Sequence, residues 1–252
     1  MDLGIDGKRV LVTGASQGLG RRIALDFAEE GCKVAVIARN AEKLQNLVDQ
    51  MEGHQKGHAF YAVDLMLEGA PTAAVNELTA KDGPFDIVIH NVGGTLQVRN
   101  PLSPMEEWYR VWKYNVGIAI EINDIVIPYM QAEQWGRIIH ISSIAGIMLM
   151  GSGPYAAAKA YLNAYTKVLG RAVAPTGVVV SALLPGAFFA EGGHWDNVRK
   201  TNLAKEQDFL GHHQAIGRLG TPEEISSFAL FMASKWSTFA TASLITVDGG
   251  TM

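Results

Sequence analysis

Cysteine is nearly absent: Cys32 stands alone in 252 residues. No disulfide can form within the chain, and a reducing compartment such as the cytoplasm is the expected setting. Long apolar runs are missing too. No stretch of about 18 uncharged apolar residues occurs, so neither a transmembrane helix nor a membrane partner is expected. The opening MDLGIDGKRV lacks a basic segment followed by an apolar stretch, so no secretory leader is expected. Basic residues are not in excess, with 21 Lys and Arg against 25 Asp and Glu for a formal charge of −4. A nucleic-acid partner, which draws on a basic patch, is therefore not expected. The 7 histidines show no metal-ligand spacing. His212 and His213 are adjacent and cannot face one site from a helix, so no metal is expected. What the chain has is a hydrophobic fraction of 48% and 27 glycines, enough for a large core and many tight turns.

Seven short apolar, β-branched runs punctuate the chain: 9–13, 34–37, 59–63, 87–89, 138–141, 178–183 and 244–247. They are apolar on both faces, as buried parallel strands are. Segments with helical spacing lie between them, such as Ile23, Leu25, Phe27 and Ala28. Strand–helix alternation predicts a parallel α/β sheet covered by helices on both faces. No composition shift marks a boundary, so one domain spanning 1–252 is expected. The rival architecture is a closed barrel of about 250 residues. The segment 186–220 breaks strand periodicity. Its length predicts a functional lid with a short helix around Trp195 to Leu210.

Thr13-Gly14-Ala15-Ser16-Gln17-Gly18-Leu19-Gly20 follows the first run and opens a helix. Glycines at 14, 18 and 20 permit a sharp turn, and the helix N-terminus offers its positive end to a pyrophosphate. A turn of this kind favours an open doubly wound sheet, a Rossmann-type domain, over the barrel. The second run leads into Ala38-Arg39-Asn40. An acid here would accept from a ribose 2′-hydroxyl; instead the Arg39 guanidinium is available to pair with a 2′-phosphate. NADP(H) is therefore expected in preference to NAD(H).

Tyr155 and Lys159 form an i,i+4 pair on an alanine-rich helix. An ammonium beside a phenol favours the phenolate, which lowers the phenol pKa and suits it to proton transfer near neutral pH. Ser142-Ser143 ends the fifth run, Asn91-Val92-Gly93-Gly94 ends the fourth, and Asn115 falls in a helical segment. All are expected at the carboxyl edge of the sheet.

With these motifs the chain resembles the short-chain dehydrogenase/reductase family, in its branch of about 250 residues, over almost its whole length. TGASQGLG matches the cofactor turn, Asp64 the adenine-binding acid, NVGG most of an N-N-A-G stretch, and Val247-Asp248-Gly249-Gly250 a C-terminal signature. Asn115, Ser143, Tyr155 and Lys159 match the catalytic tetrad; the S-x-x-G frame selects Ser143 over Ser142. The resemblance implies hydride transfer between a nicotinamide and a carbonyl carbon. Ser143 would hold the carbonyl oxygen and Tyr155 protonate it. Lys159 would depress the tyrosine pKa and bind the ribose, and Asn115 would position a water. It implies cofactor contacts from Gly14, Ser16, Gln17, Gly18, Leu19, Gly20, Arg39, Asn40, Asp64 and Leu65. Asn91, Gly93, Tyr155, Lys159, Pro185 and Gly186 complete that set. The chain departs from the family pattern at His90, at Val92, and at Ala187-Phe188-Phe189-Ala190, where a threonine is usual.

Gly94, Ala145, Phe188, Glu191, His194 and Trp195 are the candidate substrate residues. The acid, imidazole and indole suit a small, polar substrate, although Trp195 is equally able to pack the lid. The branch includes 3-oxoacyl-acyl-carrier-protein reductases, the first alternative. Users of that acidic partner carry basic docking residues, and Gln131–Trp135 and Ala174–Gly177 are not basic. A non-catalytic cofactor-binding regulator is the second alternative. The Met148-Leu149-Met150 cluster reads as core. Apolar residues circle most of the helices 115–130 and 155–173. An unhidden second apolar face predicts a homotetramer, or at least a dimer, built on these helices.

Overall fold

The computed structural model describes residues 1–51, 57–149 and 151–252; Met150 lies outside them. Seven strands form one parallel sheet: β1 (Arg9–Thr13), β2 (Lys33–Ala38), β3 (Ala59–Ala62), β4 (Ile87–His90), β5 (Gly136–Ile141), β6 (Val178–Pro185) and β7 (Leu244–Val247). Their order is β3-β2-β1-β4-β5-β6-β7, the open doubly wound arrangement expected from the sequence. The helices are α1 (Gly18–Glu29), α2 (Ala41–Met51), α3 (Ala70–Asp82), α4 (Met105–Trp112), α5 (Ile118–Ala132) and α6 (Ala145–Met148). Then come α7 (Gly153–Val173), α8 (His194–Thr201), α9 (Leu203–His212) and α10 (Pro222–Ala233).

The strands alternate two cores. On one face Val10, Val12, Val34 and Val36 meet Ile23 and Phe27 of α1, Leu44 of α2 and Ile225 of α10. On the other, Leu11, Ala35, Ile37 and Val88 meet Val75 of α3 and Ile122 and Val126 of α5. The pairing register Val10↔Val34, Leu11↔Ala35 keeps each set on its own side. Strand β1 lies between β2 and β4, so the chain order reverses there. A crevice opens at the carboxyl ends of the strands, where ligands bind in such sheets. Among the described residues no helix is long and apolar enough to cross a membrane.

Two expectations about elements are corrected. The single helix around 195–210 is a pair, α8 and α9. Asn202 divides them in a non-helical conformation, and its side-chain oxygen accepts from the Lys205 amide at 3.1 Å, capping α9. The helix containing Asn115 is not uniform either. Lys113–Gly117 is a π-helical turn inserted between α4 and α5, a feature that recurs at functional sites.

The candidate active site

The turn after β1 is built by close approach. A Cβ on Gly20 would stand 2.6 Å from the Gly14 carbonyl oxygen and collide with the Asn91 amide. Asn91 Nδ2 in turn donates to the Gly14 oxygen at 3.1 Å, tying the end of β4 to the turn. Gly14 has φ +69°, which a side chain would resist. Gln17 caps α1 without a side-chain hydrogen bond, so the first-turn amides face outward. The cradle fits a pyrophosphate.

Three cavities border this turn, and two of them hold the candidate site residues. The smaller, about 390 Å³, is lined by Gly14, Ser16, Arg39, Asn40, Asp64 and Leu65. Ala38, Lys43 and Tyr114 complete its wall. Lys43 was not foreseen: its Nζ donates to Gln17 Oε1 at 3.1 Å. Asn40 has a structural task as well, its side chain accepting from the Lys43 amide at 2.9 Å at the start of α2. The larger cavity, about 700 Å³, shares Gln17, Asn91 and Gly93 with the first and adds Gly18, Leu19, Pro185 and Gly186. Ser143, Tyr155 and Lys159 line it, as do all six candidate substrate residues. Thr95, Arg99, Ser152 and Lys205 line it too, none of which the motifs had indicated. Gly20 lines neither cavity and acts by packing alone.

The hydroxyl and ammonium groups are held from behind. Lys159 is buried, and its Nζ donates to the Ile141 carbonyl at 2.8 Å. Burial lowers its pKa to about 7. The Nζ lies 5.6 Å from the Tyr155 ring centroid. The expected lowering of the Tyr155 pKa is corrected: burial raises it, and the facing Ser143 hydroxyl works only partly against that. Ser142 turns inward instead, donating to Asn163 Oδ1 at 2.6 Å. The Ser143 oxygen accepts from the Ala145 amide at 3.1 Å.

Asn115 stands behind the cavity wall. Its Nδ2 donates to the Gly94 and Val111 carbonyls, each at 2.8 Å, and its Oδ1 accepts from the Gly94 amide at 2.9 Å. The π-turn thereby clamps the 91–94 loop. A Cβ on Gly93 would lie 2.7 Å from Asn115 Oδ1 and 3.0 Å from Lys159 Nζ, so only glycine fits between them.

His90, off the family pattern, begins a buried chain of polar contacts. Its Nε2 meets Asn123 Oδ1 at 2.8 Å, Asn123 Nδ2 meets His140 Nε2 at 3.3 Å, and His140 Nδ1 meets Thr166 Oγ1 at 2.8 Å. Thr166 donates onward to the Leu162 carbonyl at 2.8 Å, so it must accept from His140. That fixes every direction: His90 donates to Asn123, Asn123 to His140, His140 to Thr166. His140, which donates from one ring nitrogen and accepts at the other, is therefore neutral, and burial keeps His90 neutral as well. Burial holds His90 at about 4 and His140 well below its ordinary value.

In the 186–220 segment Trp195 packs the lid and also borders a cavity. Its ring packs 4.6 Å from that of Phe209 in α9, and it lines the larger cavity. Among the described residues no cluster of three His, Cys, Asp or Glu could hold a metal ion.

The sequence model of the family described as short chain dehydrogenase matches residues 8–199. The chain belongs to the short-chain dehydrogenase family. It is thus a member of an oxidoreductase family that works between C=O and CH–OH with a nicotinamide cofactor. The 3-oxoacyl-[acyl-carrier-protein] reductase FabG of Chlamydia pneumoniae is 35% identical over 253 residues, covering 99% of each chain. Its namesake from Vibrio cholerae is 33% identical over 249 residues, 98% of each. Among solved structures, L-sorbose reductase from Gluconobacter frateurii, complexed with NADPH and L-sorbose, superposes with a TM-score of 0.93 at 28% identity, covering 100% of this chain and 98% of that one. The 3-oxoacyl reductase of Agrobacterium tumefaciens, with NADP bound, gives 0.90 at 26% identity over 98% and 95%. As a short-chain dehydrogenase, the protein has the sheet order that the alternation of strands and helices implied, and it brings Ser143, Tyr155 and Lys159 to one cavity.

Proposed function

We propose that the protein is an NADP(H)-dependent oxidoreductase acting on a carbonyl, or the matching secondary alcohol, of a small polar substrate. The observation that carries this reading is the convergence of Ser143, Tyr155 and Lys159 on one cavity continuous with the glycine turn. A bound nicotinamide would supply or accept hydride at that cavity. Ser143 donates a hydrogen bond to the substrate oxygen. Tyr155 passes its proton to the same oxygen as negative charge develops there, where preplaced donors act most strongly. Lys159, with a pKa near neutrality, holds a proton beside the phenol and favours its anion once charged. Asn115 positions the 91–94 loop by its two backbone contacts with Gly94.

NADP(H) is favoured over NAD(H) by Ala38 and Arg39 at the end of β2 and by Lys43 in the same wall. Two cations, with no acid at the end of β2, suit a 2′-phosphate. The NADPH- and NADP-bound neighbours point the same way. A reducing, cytoplasmic setting suits Cys32, whose thiol burial pushes up to about 12. A homotetramer remains the proposed assembly.

A panel of aldehydes, ketones and alcohols, followed at the nicotinamide absorbance, tests the reading. NADPH consumption with at least one carbonyl is expected, faster than with NADH. Tight NADPH binding without turnover of any member would favour the non-catalytic regulator. A second reading, reduction of a 3-oxoacyl thioester on acyl carrier protein, draws on the full-length likeness to reductases of that name. Acetoacetyl-CoA belongs in the panel for that reason.

A further inference from the structure

We propose that the substrate carries an anionic group, a carboxylate or a phosphate, which Arg99 and Lys205 receive at the cavity mouth while its carbonyl lies at Ser143 and Tyr155. The proposal rests on the carbonyl-reductase reading and deepens it.

Arg99 follows β4, and Lys205 lies in the first turn of α9. Two segments far apart in sequence thus bring exposed cations to the cavity that holds the reactive hydroxyls. The other cations around the lid helices are already neutralised. Arg199 pairs with Glu206 at 2.6 Å, Lys200 with Asp196 at 2.7 Å and Arg218 with Glu224 at 2.6 Å. Among the described residues neither the Arg99 guanidinium nor the Lys205 ammonium has a hydrogen bond or an ion pair. Both fields reach His194 between them: after burial, Arg99 and Lys205 are what hold its imidazole below the ordinary value. The one carboxylate in the same wall, Glu191, also borders the polar hollow beside Ser16, Gln17 and Gly18, on the side of the glycine turn. A cleft whose mouth carries unpaired cations concentrates anions.

The apolar part of the same wall sets the body of the substrate. The Trp195 ring stands edge-on to His194 at 5.4 Å and against Phe209 at 4.6 Å, and Phe188 lines the same cavity. A short apolar or ring-shaped spacer between carbonyl and anion suits these surfaces.

The test compares carbonyl compounds with and without the charge. The pairs are levulinate with methyl levulinate, para-carboxybenzaldehyde with its methyl ester, and acetoacetyl-CoA with S-acetoacetyl-N-acetylcysteamine. The charged member of a pair should have the higher kcat/KM, by about tenfold, the usual worth of a charge-assisted contact. In Arg99→Gln/Lys205→Gln that gap should close, mainly through KM, and added salt should narrow it in the unmodified protein. A gap in the acid–ester pairs alone assigns a small oxo acid; one in the thioester pair alone assigns the phosphate of a pantetheine arm. Equal use of both members in every pair, or a gap that survives in the double variant, overturns the proposal. If nothing is reduced, the reductase reading has failed, and titration calorimetry then decides the anion site by itself. Levulinate should bind the NADP⁺-loaded protein more tightly than its methyl ester, and the double variant should lose the difference. Equal binding overturns the proposal without any turnover.

Discussion

Ala38 and Arg39 bear on the cofactor more than any other pair of residues. A methyl group stands where an acid would repel a 2′-phosphate, and the neighbouring guanidinium offers a planar pair of donors. A charge-assisted contact of this kind contributes about 1.5–3 kcal/mol, at least about tenfold in affinity. Ala38→Asp with Arg39→Leu should therefore turn the preference toward NAD(H), measured as the ratio of kcat/KM for the two cofactors. An unmodified protein that binds NAD more tightly than NADP would contradict this. Gly20→Ala tests the turn. Its Cβ would force the Gly14 carbonyl and the Asn91 amide apart, and NADPH affinity measured by fluorescence titration should fall at least about tenfold. The tyrosine, lysine and serine stood out because, together with the glycine turn and the NVGG stretch, they match a family pattern; the Tyr155–Lys159 spacing alone is common. Lys43, Arg99 and Lys205 did not stand out. An exposed cation reads alike wherever the fold carries it, and only the folded chain shows which ones border a cavity.

Among the elements, the buried contacts that join β4, β5, α5 and α7 through His90, Asn123, His140 and Thr166 have a consequence for acid stability. Each imidazole is neutral in the folded chain, with His90 held at about 4 against an ordinary value of 6.5. Between those values the unfolded chain binds a proton that the folded chain refuses, so stability falls as pH drops from 6.5 toward 4. His90→Asn removes one such group. The thermal midpoint of the variant should change less across that window than that of the parent, by calorimetry at matched ionic strength. An identical acid dependence would show that His90 carries none of it. Sequence periodicity revealed the strands and helices but not how they are interrupted. Apolar spacing continues through the π-turn at Lys113–Gly117, and the extra residue per turn shows only in the backbone. The division at Asn202 was available from its capping chemistry, but polar residues are common throughout 186–220 and one cap does not stand out among them.

For the whole molecule, the doubly wound sheet followed from the alternation of buried strands with helices and from the first turn, both of them local patterns. The assembly does not follow so directly. Apolar residues circle α5 and α7 in sequence, yet several of them are covered within the subunit: Ile122 is fully buried, and Leu169 packs against the core. What remains outside is narrower, chiefly Tyr161 and Val168 of α7, 49% and 68% exposed, with Tyr129 of α5 at 48%. A second exposed apolar group, Phe228 and Phe231 of α10 with Trp236 and Phe239, went unnoticed because its residues are scattered in sequence. Two such faces suit a tetramer with twofold axes. Light scattering at micromolar concentration should give a dimer or tetramer, and Val168→Glu should split the α7 contact without unfolding the subunit. A stable monomer of the parent would contradict the assembly. The central claim, hydride transfer to a carbonyl with Tyr155 as proton donor, has a more direct test. NADPH deuterated on the transferring face of the nicotinamide is turned over with a ketone from the panel, and the alcohol is analysed by NMR. Deuterium on the former carbonyl carbon is expected from the parent. Tyr155→Phe should give almost no alcohol while still binding NADPH. An alcohol free of deuterium, or a Tyr155→Phe variant that forms labelled alcohol at the parental rate, would contradict the account.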